Sequence, residues 1–329
     1  MAAVVSSHAV IVRLHGQVTC GMECHQARHT TLTAPFSTMR TRDINPRGLR
    51  QRVCLWGPDE GPVVICCHGW LDQAAAWDAV AIKLVARGFR VVAPDHRGHG
   101  HSAWTPGGST YHFMEYVADL DALVDALALQ DPILVGHSMG GTIASLWAGL
   151  RPGGPAGLVL LDGLGPPRVE TESAVDQAVA FLDQNRTAPA RRLVASPEAA
   201  AEKIRRTNAG LSESQALALA HRAVEATPDG WAWRWDPLHR TRAAVAYDAD
   251  RHMAILRRIE CPVAVGVGSQ SWYAMMPDLE SRVSAIGPLV AHETFACGHD
   301  LHHAEVDGVV RLVEQVDRAQ AEEPPPGST

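Results

Sequence analysis

One six-residue run, Gly136-His137-Ser138-Met139-Gly140-Gly141, constrains this chain more than any other segment. It fits G-x-S-x-G, with the apolar Ile133-Leu134-Val135 directly before it and a helix-forming stretch from Thr142 to Leu150 directly after. A serine hydroxyl is a weak nucleophile and needs both exposure and an adjacent base. A sharp turn from strand to helix supplies the exposure, and glycines permit that turn while keeping neighbouring side chains away. G-x-S-x-G also occurs as a plain glycine turn; a strand before it and a helix after it are what favour the nucleophile reading. Ser138 is therefore the candidate nucleophile. The backbone N–H of Met139, the next residue, is a candidate donor to an oxyanion.

The rest of the chain alternates in the same way, which predicts a parallel sheet with crossover helices. Val63 to Cys67 reads as a continuous apolar strand. Ala74 to Arg87 has helical spacing (Trp77, Val80, Ala81, Leu84, Val85) and stops at Gly88. Phe89 to Ala93 is a strand, Met114 to Leu129 an amphipathic helix, and Leu158 to Leu161 a strand ending at Asp162. Between Gly163 and Asp250 the alternation gives way to a polar, helical pattern rich in Ala and Arg. That segment is too long for a bare loop and predicts an inserted helical cap, 163–250. Strands resume at Val263 to Val267 and near Val290 to Phe295, and a final helix spans about Glu305 to Ala319. The expected organisation is a core of 39–162 and 251–320 around that cap. Residues 1–38, rich in His, Thr and Cys without a sustained period, read as a disordered extension, with the functional chain beginning near Met39. Residues 321–329, AEEPPPGST, read as a disordered tail.

Composition excludes several function classes. With 46% apolar and 20% charged residues the chain is ordinary globular material, and its formal net charge of -7 is not a footprint for nucleic acid. No run is long enough for a membrane span, and the first residues lack the basic start of a secretory leader. The seven cysteines include no CxxC pair. Cys66 and Cys67 are neighbours in a strand and point to opposite faces, so the expectation is buried, reduced thiols in a cytoplasmic protein.

Two further motifs carry chemistry. His68-Gly69-Trp70 follows an apolar strand, and the Trp70 N–H is the second candidate oxyanion donor; a simple turn is the competing reading. Cys297-Gly298-His299 follows the last strand and makes His299 the candidate general base. His302 and His303 begin the next helix and read as solvated or supporting residues. His68, His96, His99, His101 and His137 could suggest a metal, but they come with no carboxylate ligand set, so neither metal nor cofactor is expected. Trp231, Trp233 and Trp235 either line a substrate pocket or form the core of the cap, the second being the commoner use of such aromatics.

Taken in order, these motifs resemble the α/β-hydrolase superfamily. Asp95-His96-Arg97-Gly98-His99-Gly100-His101-Ser102 matches its DxRGxGxS loop, and the resemblance spans about Gly48 to Ala319. The segments WGPDEGPVVICCHGWLDQAAAWD, GHSMGG, LVLLDGLGP and WRWDPLHR look closest to the serine hydrolase-like proteins. The resemblance implies an eight-stranded, mostly parallel sheet under a helical cap, and a triad in the chain order serine, acid, histidine. Here the sequence departs from the common pattern. Many relatives carry the acid after the seventh strand of the sheet, where this chain has Gly268-Ser269-Gln270-Ser271-Trp272 and no carboxylate. Asp278 comes later, beyond Pro277. Asp162, at the end of the sixth strand, occupies the other position known in the superfamily and is the candidate acid; capping the first cap helix is its structural alternative.

The expected activity is serine-dependent hydrolysis of a small ester or lactone through an acyl-enzyme, without cofactor and with a small-molecule substrate as partner. The alternatives are carbon–carbon bond hydrolysis by the same residues, a haloperoxidase-like side activity, and a pseudo-hydrolase that only binds a ligand. Oligomeric state is not legible in the sequence.

Overall fold

The computed structural model describes residues 39–208 and 210–322. The expected extension at 1–38 and residues 323–329 of the expected tail lie outside the described residues. An antiparallel pair, β1 (Arg40–Ile44) and β2 (Gln51–Trp56), opens the fold. Four strands follow: β3 (Val63–Cys67), β4 (Arg90–Pro94), β5 (Ile133–His137) and β6 (Gly157–Leu161). They are joined in turn by α1 (Asp78–Val85), α2 (Phe113–Ala126) and α3 (Met139–Leu150). The inserted segment holds α4 (Thr171–Gln184), β7 (Leu193–Val194), α5 (Pro197–Thr207), α6 (Glu213–Ala223), β8 (Val224–Thr227) and β9 (Gly230–Trp233). The chain returns through α7 (Ala249–Leu256) to β10 (Val263–Gly268), α8 (Leu279–Ser284), β11 (Leu289–Phe295), α9 (Leu301–Ala304) and α10 (Val306–Glu322).

Eight strands pair in the order β1-β2-β4-β3-β5-β6-β10-β11, and only β2 runs against the others. Burial on both faces explains the unbroken apolar strands. Cys66 packs with Trp77, Val80 and Val309 on the face covered by α1 and α10; Cys67 packs with Leu120, Ile143 and Leu160 on the face covered by α2 and α3. Alternate side chains of β3 thus serve separate halves of the core. Among the described residues no helix is long and apolar enough to cross a membrane.

Three element boundaries differ from expectation for local reasons. The predicted helix from Ala74 opens as a tight turn, Ala74–Trp77, whose first N–H donates to buried Asp95 (2.8 Å). The helix predicted through Leu129 stops at Ala126, because Ala128 takes a left-handed backbone (φ 50°) and Leu129 N–H closes the turn on Val124 O (3.0 Å). The last helix runs past Ala319 and takes in Ala321 and Glu322, which the sequence reading assigns to the tail.

The inserted segment is not purely helical. It also contains a three-stranded antiparallel sheet, β7-β9-β8. Its hairpin turns through Pro228-Asp229, with Thr227 paired to Gly230 (φ 116°). Thr-Pro-Asp-Gly is a turn signature, and the alternation of Trp231 and Trp233 is a strand pattern; both signals were present in the sequence.

Candidate active site

The turn after β5 forces Ser138 into a backbone conformation that L-residues seldom adopt, φ 53° and ψ −115°. Such strain persists only where the surroundings over-determine it. Here Ser138 N–H donates to Leu161 O (2.9 Å), and Gly140 packs so tightly on the main chain of Cys67 and His68 that any Cβ would collide. Gly69 lies on the other side: a Cβ there would fall 3.5 Å from Ser138 Cβ and 2.9 Å from His137 Nδ1. The His68-Gly69-Trp70 loop is therefore directly beside the serine. Trp70 N–H has no acceptor among the described residues, and Met139, at the first position of α3, has none within its own helix.

Strand register brings the remaining candidates to the same edge. His137 pairs with Leu161 across β5 and β6, so the next residues, Ser138 and Asp162, leave the sheet side by side. Asp162 is itself left-handed (φ 44°) and fully buried. Its Oδ1 accepts Gly268 N–H (3.1 Å), and its Oδ2 lies 3.0 Å from His299 Nδ1. His299 Nε2 lies 2.9 Å from Ser138 Oγ. With Nδ1 carrying the proton toward the carboxylate, Nε2 is left to accept from the serine hydroxyl.

Ser271 lies in the segment after β10 that carries no carboxylate. Its hydroxyl accepts Tyr273 N–H (3.1 Å) and lies 3.2 Å from the same His299 Nδ1. Asp278 is elsewhere: its carboxylate pairs with the buried guanidinium of Arg282 (2.8 Å), one turn along α8.

The histidines around the site are structural in their contacts. His68 Nε2 accepts His96 N–H (3.0 Å), which leaves Nδ1 to donate to Gly69 O (2.7 Å) and so shape the loop. His137 Nε2 donates to the main-chain carbonyl of His299 (2.8 Å). Of the two readings given for it, solvated or supporting, His302 fits the second. It is fully buried between the rings of Trp77 and His137, because α9 packs against the Ala74–Trp77 turn and β10. Burial lowers the pKa of His302 and His303 to about 3, so both imidazoles are neutral. With Asp72 they form a group whose ligand atoms lie within 4.8 Å of one another, a cluster the sequence reading did not find. The DxRGxGxS loop braces the other side: Asp95 accepts from Ala74 and His101 N–H groups, and Arg97 forms a paired contact with Asp119.

A cavity of about 790 Å³ opens on Ser138 and His299. Its floor includes Trp70, Asp72, Trp272 and Asp300; its far wall comes from the inserted segment, including Leu193, Ile204, Leu219, Trp233 and Trp235. Of the three alternating tryptophans, Trp233 and Trp235 line this cavity, and Trp231 and Trp233 pack against the inserted segment's own apolar cluster. Gln73 Nε2 ties the floor to α6 through Leu219 O (2.9 Å).

Comparison with known proteins agrees with this fold. Residues 62–226 match a family model described as the alpha/beta hydrolase fold. A serine hydrolase-like protein of Danio rerio is 32% identical over 243 residues, 72% of this chain and 74% of the relative. A bifunctional esterase/perhydrolase of Acinetobacter calcoaceticus is 40% identical over 123 residues, 37% of this chain and 44% of that protein. Among solved structures, a thioesterase domain from the curacin biosynthetic pathway superposes with a TM-score of 0.78 at 31% identity, covering 84% of this chain and 99% of the domain.

Proposed function

The chain belongs to the α/β-hydrolase fold family, and from that premise we propose that it is a serine hydrolase acting on a small ester or lactone through an acyl-enzyme. The observation that carries the reading is the unbroken line of contacts from Asp162 Oδ2 through His299 to Ser138 Oγ, at 3.0 and 2.9 Å. Ser138 Oγ attacks the carbonyl carbon as its proton passes to His299 Nε2. The Asp162 carboxylate holds the imidazole in the required tautomer and stabilises the imidazolium. The N–H groups of Trp70 and Met139 meet the oxygen that becomes negative in the tetrahedral intermediate. His299 then gives its proton to the departing alcohol. Water, deprotonated by the same imidazole, attacks the acyl-serine, and the acid is released as Ser138 recovers its proton.

A thioester is a second substrate type for the same steps. The structural likeness to a thioesterase domain at 31% identity favours it over carbon–carbon cleavage. A ligand-binding pseudo-hydrolase is disfavoured by an acid within hydrogen-bonding distance of His299.

The test is covalent labelling with a fluorophosphonate. The unmodified protein should label stoichiometrically at Ser138, and heat-denatured protein should not. A folded protein that fails to label, and fails to hydrolyse 4-nitrophenyl esters across a range of chain lengths, would end the serine-hydrolase reading.

A further inference from the structure

The wall that the inserted segment contributes to the cavity carries a charge bias opposite to that of the whole chain. Overall the protein has a formal net charge of -7. Yet the inserted segment sends Arg192, Lys203, Arg234 and Arg240 to the cavity lining, and no carboxylate. The two acids that line it, Asp72 and Asp300, both come from core loops beside Gly69 and His299. Cations and acids are thus segregated, the acids at the floor and the cations at the wall.

Three of the four cations are uncommitted. The side chains of Arg192, Lys203 and Arg240 form no ion pair or hydrogen bond among the described residues. Arg234 pairs with Glu225 (2.8 Å), but Glu225 is also the partner of Arg191 (2.5 Å), so one carboxylate answers two guanidiniums. The Nε of Arg234 is buried without an acceptor. The inserted segment also contributes the apolar Leu193, Leu219, Trp233 and Trp235 to the same lining. Unpaired cations around a concave, partly apolar wall raise the local concentration of anions and hold them in one orientation.

We infer that the cap wall is an anion subsite, and that the substrate is an ester or thioester carrying a carboxylate, sulfate or phosphate group away from its reacting carbonyl. The inference rests on the hydrolase reading for the identity of the reacting end. The anion seats among Arg192, Lys203, Arg240 and Arg234, the apolar part of the substrate spans the tryptophans, and the carbonyl meets Ser138. Segregation matters here: Asp72 and Asp300 would repel an anion at the floor and so favour the orientation that puts it on the wall.

The experiment reads binding rather than turnover, so that it does not depend on the serine. Ser138→Ala protein is titrated with two matched pairs of esters while tryptophan fluorescence is followed, since four tryptophans line the cavity. One pair is mono-4-nitrophenyl glutarate against 4-nitrophenyl butyrate; the other is 4-(butanoyloxy)benzoate against phenyl butyrate. In at least one pair the anionic member should bind about tenfold more tightly at low ionic strength, and most of that preference should vanish at high salt. Arg192→Gln/Arg240→Gln in the same background should bring the ratio to about one, with the neutral esters bound as before. Inorganic phosphate should bind at least about tenfold more weakly than the preferred anionic ester, because it has no apolar part to bury. Equal binding within both pairs would overturn the inference, as would a preference that survives the double substitution or phosphate binding as tight as the ester. Loss of labelling at Ser138 in the unmodified protein would instead strike the hydrolase reading and leave these binding ratios intact.

Discussion

The ring of His137, the residue just before the proposed nucleophile, donates through Nε2 to the main-chain carbonyl of His299, 2.8 Å away. The turn that presents the serine and the loop that presents the base are thereby fixed to each other by one hydrogen bond. His137→Phe keeps a ring in the same buried space and removes the donor. It leaves that carbonyl with only the longer contact from Leu301 N–H (3.2 Å), and the loop should drift. Turnover of a 4-nitrophenyl ester should fall about tenfold, in kcat more than in KM, since a hydrogen bond of this kind is worth ~1 kcal/mol or a little more. An unchanged kcat would show that the His299 loop is held by its other contacts alone.

Ser138→Ala should fold normally and lose on the order of 10⁴-fold or more in turnover. Asp162→Asn should cost on the order of 10²–10⁴-fold, because the amide favours the wrong imidazole tautomer. Asp278→Asn is the control. It should leave turnover nearly intact but lower stability by about 1–3 kcal/mol, since it weakens the pairing of Arg282, a guanidinium only 1% exposed. Steady-state kinetics and urea unfolding on all three variants check this. Equal kinetic losses for Asp162→Asn and Asp278→Asn would refute the assignment of the acid.

Acid should unfold the protein early. Burial lowers the pKa of nine histidines: His96, His252, His302 and His303 to about 3, His99 and His101 to about 4, and His68, His137 and His239 also downward. An unfolded imidazole titrates near 6.5, so as pH falls below about 6.5 the unfolded chain takes up protons that the folded chain refuses. Stability contributed by these groups is present above that pH and lost below it. Asp72, Asp95 and Asp300 act in the opposite sense, because desolvation raises each to about 6 and the folded form binds protons first between about 4 and 6. Nine groups outweigh three. The melting temperature should drop by about 10 °C or more between pH 7 and pH 5, at ~1.4 kcal/mol per unit for each net proton. A melting temperature that is flat over that interval would count against neutral, buried imidazoles.

Much of this architecture was legible because it is encoded locally. The strand-glycine-serine-glycine-helix run marks its own turn, and the unbroken apolar strands from Val63 and Leu158 mark a sheet covered on both faces. The position of Asp162 could be inferred because it ends one strand and Ser138 follows its neighbour; register then does the rest. What was not legible depends on how distant segments stack. His302 looks like a surface helix residue until α9 places it between Trp77 and His137. The cap's small sheet was missed for another reason. Its strands are only two to four residues long, so the helical composition around them outweighed a clear Pro-Asp-Gly turn. The four cations on the cavity wall are separated by up to dozens of residues, and only the folded cap gathers them.

Ser271 supplies the most demanding prediction. Its Oγ lies 3.2 Å from His299 Nδ1, nearly as close as the Asp162 carboxylate oxygen at 3.0 Å, and approaches the imidazole from the end of β10 rather than β6. A carboxylate at position 271 could therefore accept the same Nδ1–H. The site is confined, since Ser271 is only 3% exposed, although the adjacent Trp272 and His299 line the cavity. In the unmodified background Ser271→Asp places two carboxylates on one imidazole; like charges at that distance repel, and turnover should fall. In the Asp162→Asn background that repulsion is gone and the new carboxylate restores the correct tautomer. Asp162→Asn/Ser271→Asp should then turn over at least about tenfold faster than Asp162→Asn alone, although Ser271→Asp by itself is harmful. Kinetics on the four proteins of this cycle, each checked for folding by circular dichroism, measure the sign change directly. If the double variant is as slow as Asp162→Asn while remaining folded, position 271 cannot orient His299, and the 3.2 Å contact only packs the loop.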